Sequence, residues 1–106
     1  MNIKYDFTGK VCIVTGGASG MGAAFATALA ESGAEVFIAD VQLEKAREMA
    51  DKLNINGCKT HALYLDATKE QSAVDMAAEA VKQAGRIDIM VNCVGIGAGA
   101  KDGETP

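Results

Sequence analysis

Gly16, Gly20 and Gly22 follow the apolar run Val11 Cys12 Ile13 Val14 Thr15 and lead into an alanine-rich stretch. That order suits the binding of a diphosphate. A glycine turn between a strand and a helix lets backbone N–H groups approach an anion that any Cβ would hold away, and the helix dipole adds a positive end. The spacing is G-x-x-x-G-x-G, so the usual G-x-G-x-x-G fingerprint is not met although its mechanism is. A turn that serves only close packing of strand against helix would use the same glycines. Beyond it, Asp40 ends a second apolar run, where a carboxylate can accept hydrogen bonds from both hydroxyls of an adenosine ribose. The same charge repels a 2'-phosphate, and Ala18, Ser19, Val41 and Gln42 bring no cation to offset it. NAD is therefore favoured over NADP. The other role open to Asp40 is N-cap of the helix that follows, and the two are compatible.

Positioning these groups requires strands that alternate with helices. Short apolar runs predict strands at residues 11–15, 35–40, 60–66 and 87–93; their continuity implies burial on both faces and a parallel sheet. A first helix starts near Gly20, carries Ala23, Ala24, Ala26, Ala28 and Ala30 toward the sheet and ends at Gly33. A second, over residues 42–53, places Leu43, Ala46, Met49, Ala50 and Leu53 on one stripe, with Glu44, Lys45, Arg47 and Glu48 turned to solvent. Thr68 and Gln71 fit a capping box opening a third helix, whose expected buried stripe is Val74, Ala77, Ala78 and Val81 before Gly85. Right-handed crossovers put the first two helices on one face and the third on the other, giving an α/β, three-layer fold with strand order 3-2-1-4. The fourth strand is then an open edge that something should cover. Residues 95–106, rich in glycine, are expected to be mobile.

Composition bounds the rest. The 106 residues suit one domain of marginal stability. A net charge of −4 with scattered Lys and Arg argues against nucleic acid. Cys12, Cys58 and Cys93 are odd in number and form no CxxC, which suggests reduced thiols rather than a disulfide framework or a metal site. No run approaches the ~18 apolar residues of a membrane span, so the default is a soluble, cytoplasmic protein.

Thr15 to Gly22, preceded by Phe7 Thr8 Gly9 Lys10 Val11, resembles the TGxxxGxG opening of the short-chain dehydrogenase/reductases, and the likeness runs through essentially the whole chain. The resemblance implies a Rossmann-like domain, truncated before its remaining strands, in which Gly16, Ser19, Gly20, Met21, Gly22 and Asp40 hold NAD. Asp66 and Ala67 resemble the end of the family's third strand, where the Asp side chain and the next backbone group meet the adenine; a capping Asp is the equal alternative. Met90 Val91 Asn92 Cys93 Val94 Gly95 resembles the family's NNAG element, with Cys93 and Val94 in place of its second Asn and its Ala. By that likeness Cys93 meets the cofactor ribose through its backbone, Gly95 leaves room for the nicotinamide ribose, and Asn92 ties the fourth strand to neighbouring backbone. Cys93 otherwise reads as a packed thiol.

The family's catalytic Ser and YxxxK have no counterpart in these residues. Tyr5 is followed four residues on by Gly9 and Tyr64 by Thr68, both tyrosines reading as packing residues. Ser19, Ser32 and Ser72 adjoin no plausible base, and His61 opens the third strand, away from the carboxyl ends where such sheets bind ligands. No catalytic or metal-binding residue is assigned. The resemblance implies the NAD-binding part of an oxidoreductase that interconverts a small-molecule alcohol and ketone, as a homo-oligomer. The alternatives are a non-catalytic NAD-binding or interaction module, and a structural unit whose copies pair through the fourth strand or the uncovered sheet face.

Overall fold

The computed structural model describes residues 6–94. The segment expected to be mobile, with Gly95, lies outside them, as does Tyr5. Four parallel strands, β1 (Val11–Thr15), β2 (Glu35–Asp40), β3 (Lys59–Tyr64) and β4 (Ile89–Asn92), form one sheet in the order β3-β2-β1-β4. Between them run α1 (Gly20–Glu31), α2 (Leu43–Ile55) and α3 (Glu70–Ala84). This is the Rossmann-like arrangement expected from the alternation of apolar runs.

Burial follows the two-faced logic of a parallel sheet. Cys12, Val14, Val36 and Ile38 point to one face, under Ala26 and Ala30 of α1 and Ala46, Ala50 and Leu53 of α2. Val11, Ile13, Phe37, Ala39 and Leu63 point to the other, under Met76 and Ala80 of α3. The first two helices thus share a face, and the third stands opposite. The α2 stripe is as expected. On α1 the close-packed residues are Gly22, Ala26 and Ala30; Ala24 and Ala28, expected at the sheet, face solvent. Buried side chains here recur four apart, so alanines between those rows turn outward.

The largest departure concerns α3. Its buried residues are Met76 and Ala80, while Val74, Ala78 and Val81 of the expected stripe are exposed and Ala77 is half-buried. The helix rests on the β3 side of the sheet through Met76, which rotates the valines away. Its predicted capping box does not form. Lys69 is the N-cap, without a side-chain cap; the Thr68 hydroxyl donates to Asp66 Oδ1 at 2.6 Å, and the Gln71 amide donates to Asp75. Two strands are shorter than expected, because Leu65 and Asp66 leave β3 for a turn and residues 87 and 88 precede β4.

The ends opposite the glycine turn are tied by charge. Asp88 Oδ2 accepts the Val11 N–H at 2.8 Å and the Arg86 Nε–H at 2.8 Å, and Arg86 donates onward to the Gly9 carbonyl at 2.7 Å. The Val11 amide, followed by the Arg86 guanidinium, holds the Asp88 carboxyl below its usual range. A carboxyl depressed in the folded state stabilises above its unfolded pKa of about 3.9, and that contribution is lost as pH falls through the folded value. Asp88→Asn is therefore expected to lower the melting temperature at pH 7 and to narrow the gap to wild type in acid below about pH 4. Melting curves across that range check it.

His61 lies opposite Phe37 in the β2–β3 register and stacks on its ring, with centroids 4.6 Å apart. Its Nε2 meets Glu35 Oε2 at 2.7 Å. This places it toward the amino ends of the strands, in a structural role.

Candidate cofactor site

The carboxyl ends of β1, β2 and β4 converge on residues 16–22. Gly16 N–H donates to the Ala39 carbonyl at 2.8 Å, Ala18 N–H donates to Asp40 Oδ2 at 3.0 Å, and Cys93 N–H donates to the Thr15 carbonyl at 3.1 Å. The turn is thus pinned to β2 and β4 at once. A Cβ on Gly16 would stand 3.2 Å from the Cys93 carbonyl carbon and the Val94 nitrogen, so the turn lies directly against the end of β4.

Helix α1 then starts in an unusual electrostatic state. Ser19, its N-cap, is extended, with φ −154° and ψ 162°, and its hydroxyl makes no capping bond. No acidic residue occupies the first turn, whereas α2 and α3 carry Glu44 and Glu70 there. The first N–H groups of α1 therefore meet neither a side-chain acceptor nor a neutralising charge, and the positive end of the dipole is bare.

The two central glycines divide the labour. A Cβ on Gly22 would overlap the Gly16 carbonyl oxygen and lie 2.7 Å from its carbon, so Gly22 is required by packing of the helix on the turn. Gly20, at φ +57°, has nothing within 4 Å of its would-be Cβ. It faces open space at the helix start. Packing alone, the rival explanation of these glycines, thus accounts for Gly22 and not for Gly20.

Asp40 ends β2 and is 7% exposed. Its Oδ2 accepts from Ala18 N–H and its Oδ1 from Gln42 N–H at 2.9 Å. Gln42, not Asp40, is the N-cap of α2, so the capping role envisaged for Asp40 is replaced by a brace joining the glycine turn to the start of that helix. Each oxygen keeps a further lone pair for a ligand hydroxyl. Val41 beside it is exposed.

Leu65 N–H donates to the Asp40 carbonyl at 3.1 Å and so brings Asp66 to the same end of the sheet. Asp66 Oδ1 accepts the Thr68 N–H and hydroxyl, and these bonds, the hydroxyl first, hold its carboxyl below the usual range. Asp66 thus closes the turn ahead of α3 and does not cap the helix, whose N-cap is Lys69, and Ala67 next to it is exposed. Ser72 accepts the Asp66 N–H at 2.9 Å.

Asn92 departs from expectation in its partner. Its Oδ1 accepts the Thr15 hydroxyl at 2.8 Å and the Val94 N–H at 3.3 Å, so it ties β4 to a side chain of β1 and to its own following turn. Cys93 is a buried thiol packed among Val14, Ala18 and Ala26. Cys12 is buried in the same cluster, and burial pushes its thiol up, which keeps it neutral.

The G-x-x-x-G-x-G spacing does not single out Gly17. A Cβ there would come within 2.8 Å of the Val14 carbonyl oxygen, a contact that no motif position announces. A groove of about 510 Å³ also opens between β3 and α3, floored by Leu63 and Met76, with Tyr64 half-exposed at its rim rather than packed away. None of the expected site residues lines it.

The family profile for short chain dehydrogenase matches residues 10–105. The chain belongs to the short-chain dehydrogenase family. It is 43% identical over 88 residues to Tropinone reductase-like 1 of Erythroxylum coca, covering 83% of this chain and 31% of that protein. It superimposes with a TM-score of 0.80 and 32% identity on a 7 alpha-hydroxysteroid dehydrogenase complexed with NADH and 7-oxo glycochenodeoxycholic acid, over 82% of this chain and 34% of the other. A Pseudomonas aeruginosa RhlG/NADP active-site complex matches with a TM-score of 0.77 and 32% identity, over 83% and 35%. The chain spans about a third of the length of these short-chain dehydrogenases. Among the described residues no helix is long and apolar enough to cross a membrane, and no group of His, Cys, Asp or Glu could hold a metal ion.

Proposed function

We propose that these residues form the NAD-holding part of an oxidoreductase that interconverts an alcohol and a ketone on a small molecule. The observation that carries the reading is the start of α1, with no side-chain cap, no acidic residue in its first turn and open space at Gly20. A diphosphate fits there: Ser19, Gly20, Met21 and Gly22 present amides, and Gly16 lets the turn lie close against the end of β4. Asp40 would receive the adenosine ribose hydroxyls on its remaining lone pairs, and its charge would disfavour a 2'-phosphate. Asp66 and Ala67 would flank the adenine, Cys93 would meet the second ribose through its backbone, and Asn92 would hold β4 in register with β1. Gly95, outside the described residues, keeps its proposed place beside the nicotinamide ribose. The coenzyme, when bound, supplies the hydride acceptor; these residues orient it.

The relatives that bind NADH and NADP bracket the choice, and the uncompensated carboxylate of Asp40 favours NAD. The three free thiols suit a reducing compartment such as the cytoplasm, and a homo-oligomer is the proposed working state. Calorimetric titration of the 106 residues tests the reading, with NAD expected to bind at least tenfold more tightly than NADP and no alcohol oxidation expected. Equal affinities would refute the coenzyme assignment, and turnover by a clean preparation would refute the division of labour.

A further inference from the structure

β3 ends the sheet on the side away from β4 and, among the described residues, pairs with β2 alone. Backbone groups along such a strand alternate between its two sides. Leu65, just past its end, turns its N–H inward to the Asp40 carbonyl of β2 at 3.1 Å, so the N–H and C=O of Thr60, Ala62 and Tyr64 turn outward. Those of Thr60 are already taken. Asn54, six residues back in the last turn of α2, accepts the Thr60 N–H on Oδ1 at 2.8 Å and donates from Nδ2 to the Thr60 carbonyl at 3.0 Å. One carboxamide thus makes both bonds that a neighbouring strand would make.

The Asn54 side chain is held in that place from both ends. Gly57, at φ +91°, closes α2, with its N–H on the Asn54 carbonyl at 3.0 Å and the Cys58 N–H on the Leu53 carbonyl at 3.1 Å, and turns the chain straight into β3. The Thr60 hydroxyl is shared between the Ala50 carbonyl at 3.0 Å and Asn54 Oδ1 at 2.8 Å. Ala62 and Tyr64 remain as an open stretch shorter than an ordinary strand, which has at least about 3 residues. Were Thr60 free as well, the edge would be complementary to itself. About a twofold axis at Ala62, two antiparallel copies would set Thr60 of each against Tyr64 of the other, with Ala62 against Ala62. With Asn54 in place only the central pair is left, too short a contact to hold two copies together.

We propose that the outer edge of β3 is a pairing surface for a second copy of this chain, and that the Asn54 carboxamide keeps it closed. No coenzyme takes part, so the proposal stands or falls apart from the NAD assignment. Asn54→Ala should raise self-association of the 106 residues, read by sedimentation equilibrium, by about tenfold or more over wild type. Asn54→Ala/Ala62→Pro, which removes the central outward N–H at a position where an edge strand accepts proline, should return it to the wild-type value. Thr60→Val removes the hydroxyl but keeps the carboxamide on the backbone, and should lower Tm without raising association, which separates opening of the edge from simple loosening of α2. Amide exchange of the dilute wild-type protein gives a reading that needs no variant: the Thr60 N–H should exchange about tenfold or more slowly than the Ala62 N–H. Equal exchange at the two amides, association of Asn54→Ala no greater than that of wild type, or association that survives Ala62→Pro would each overturn the proposal.

Discussion

Gly22→Ala is expected to destabilise the protein severely. The added methyl would collide with the Gly16 carbonyl, a backbone group whose neighbour, the Gly16 N–H, is fixed to β2 through Ala39. No rotamer change relieves such a contact, so α1 must lift from the turn and release Ala26 and Ala30 from the core. Overpacking of this kind costs about 3 kcal/mol or more, a large share of the ~5–10 kcal/mol available to a domain of this size. Chemical denaturation checks it. A midpoint within 0.2 M urea of wild type, which corresponds to less than about 0.5 kcal/mol, would contradict the packing described here.

Asp40→Asn carries the second large effect, on stability and on selectivity together. Both carboxylate oxygens accept backbone N–H groups, so whichever way the amide turns, its NH2 faces either Ala18 N–H or Gln42 N–H. One buried donor loses its acceptor, at a cost of about 1–3 kcal/mol. The substitution also removes the charge held against a 2'-phosphate, and the preference for NAD over NADP should shrink at least tenfold. Thermal melting reads the first effect and competitive titration the second. A folded variant with unchanged coenzyme preference would refute the selectivity role while leaving the brace intact.

Much of the fold was legible because apolar runs and helix stripes repeat with different periods, and chain handedness then decides the faces. Residues 11–15 and 35–40 bound β1 and β2 as the apolar runs do. α3 departs from the stripe its sequence suggests for a physical reason. Its sequence offers two apolar rows, Met76 with Ala80 and Val74 with Val81, and only tertiary contact with β3 selects the first. The site was legible in its glycines and in Asp40, whose types follow from backbone approach and charge. Its internal wiring was not. That Asp40 braces the glycine turn and that Asn92 answers to the Thr15 hydroxyl depend on strand register, which spacing along the chain does not encode.

The central claim is that the backbone at Gly20 is left bare for a diphosphate, and titration of Gly20→Ala with NAD tests it most directly. The residue has open space around it, so the variant should stay folded, losing only the ~1 kcal/mol of left-handed strain. Calorimetry should show NAD affinity reduced at least tenfold in a variant that still melts cooperatively, with its Tm lowered by no more than about 4–8 °C. A folded Gly20→Ala protein that binds NAD as tightly as wild type would contradict the account.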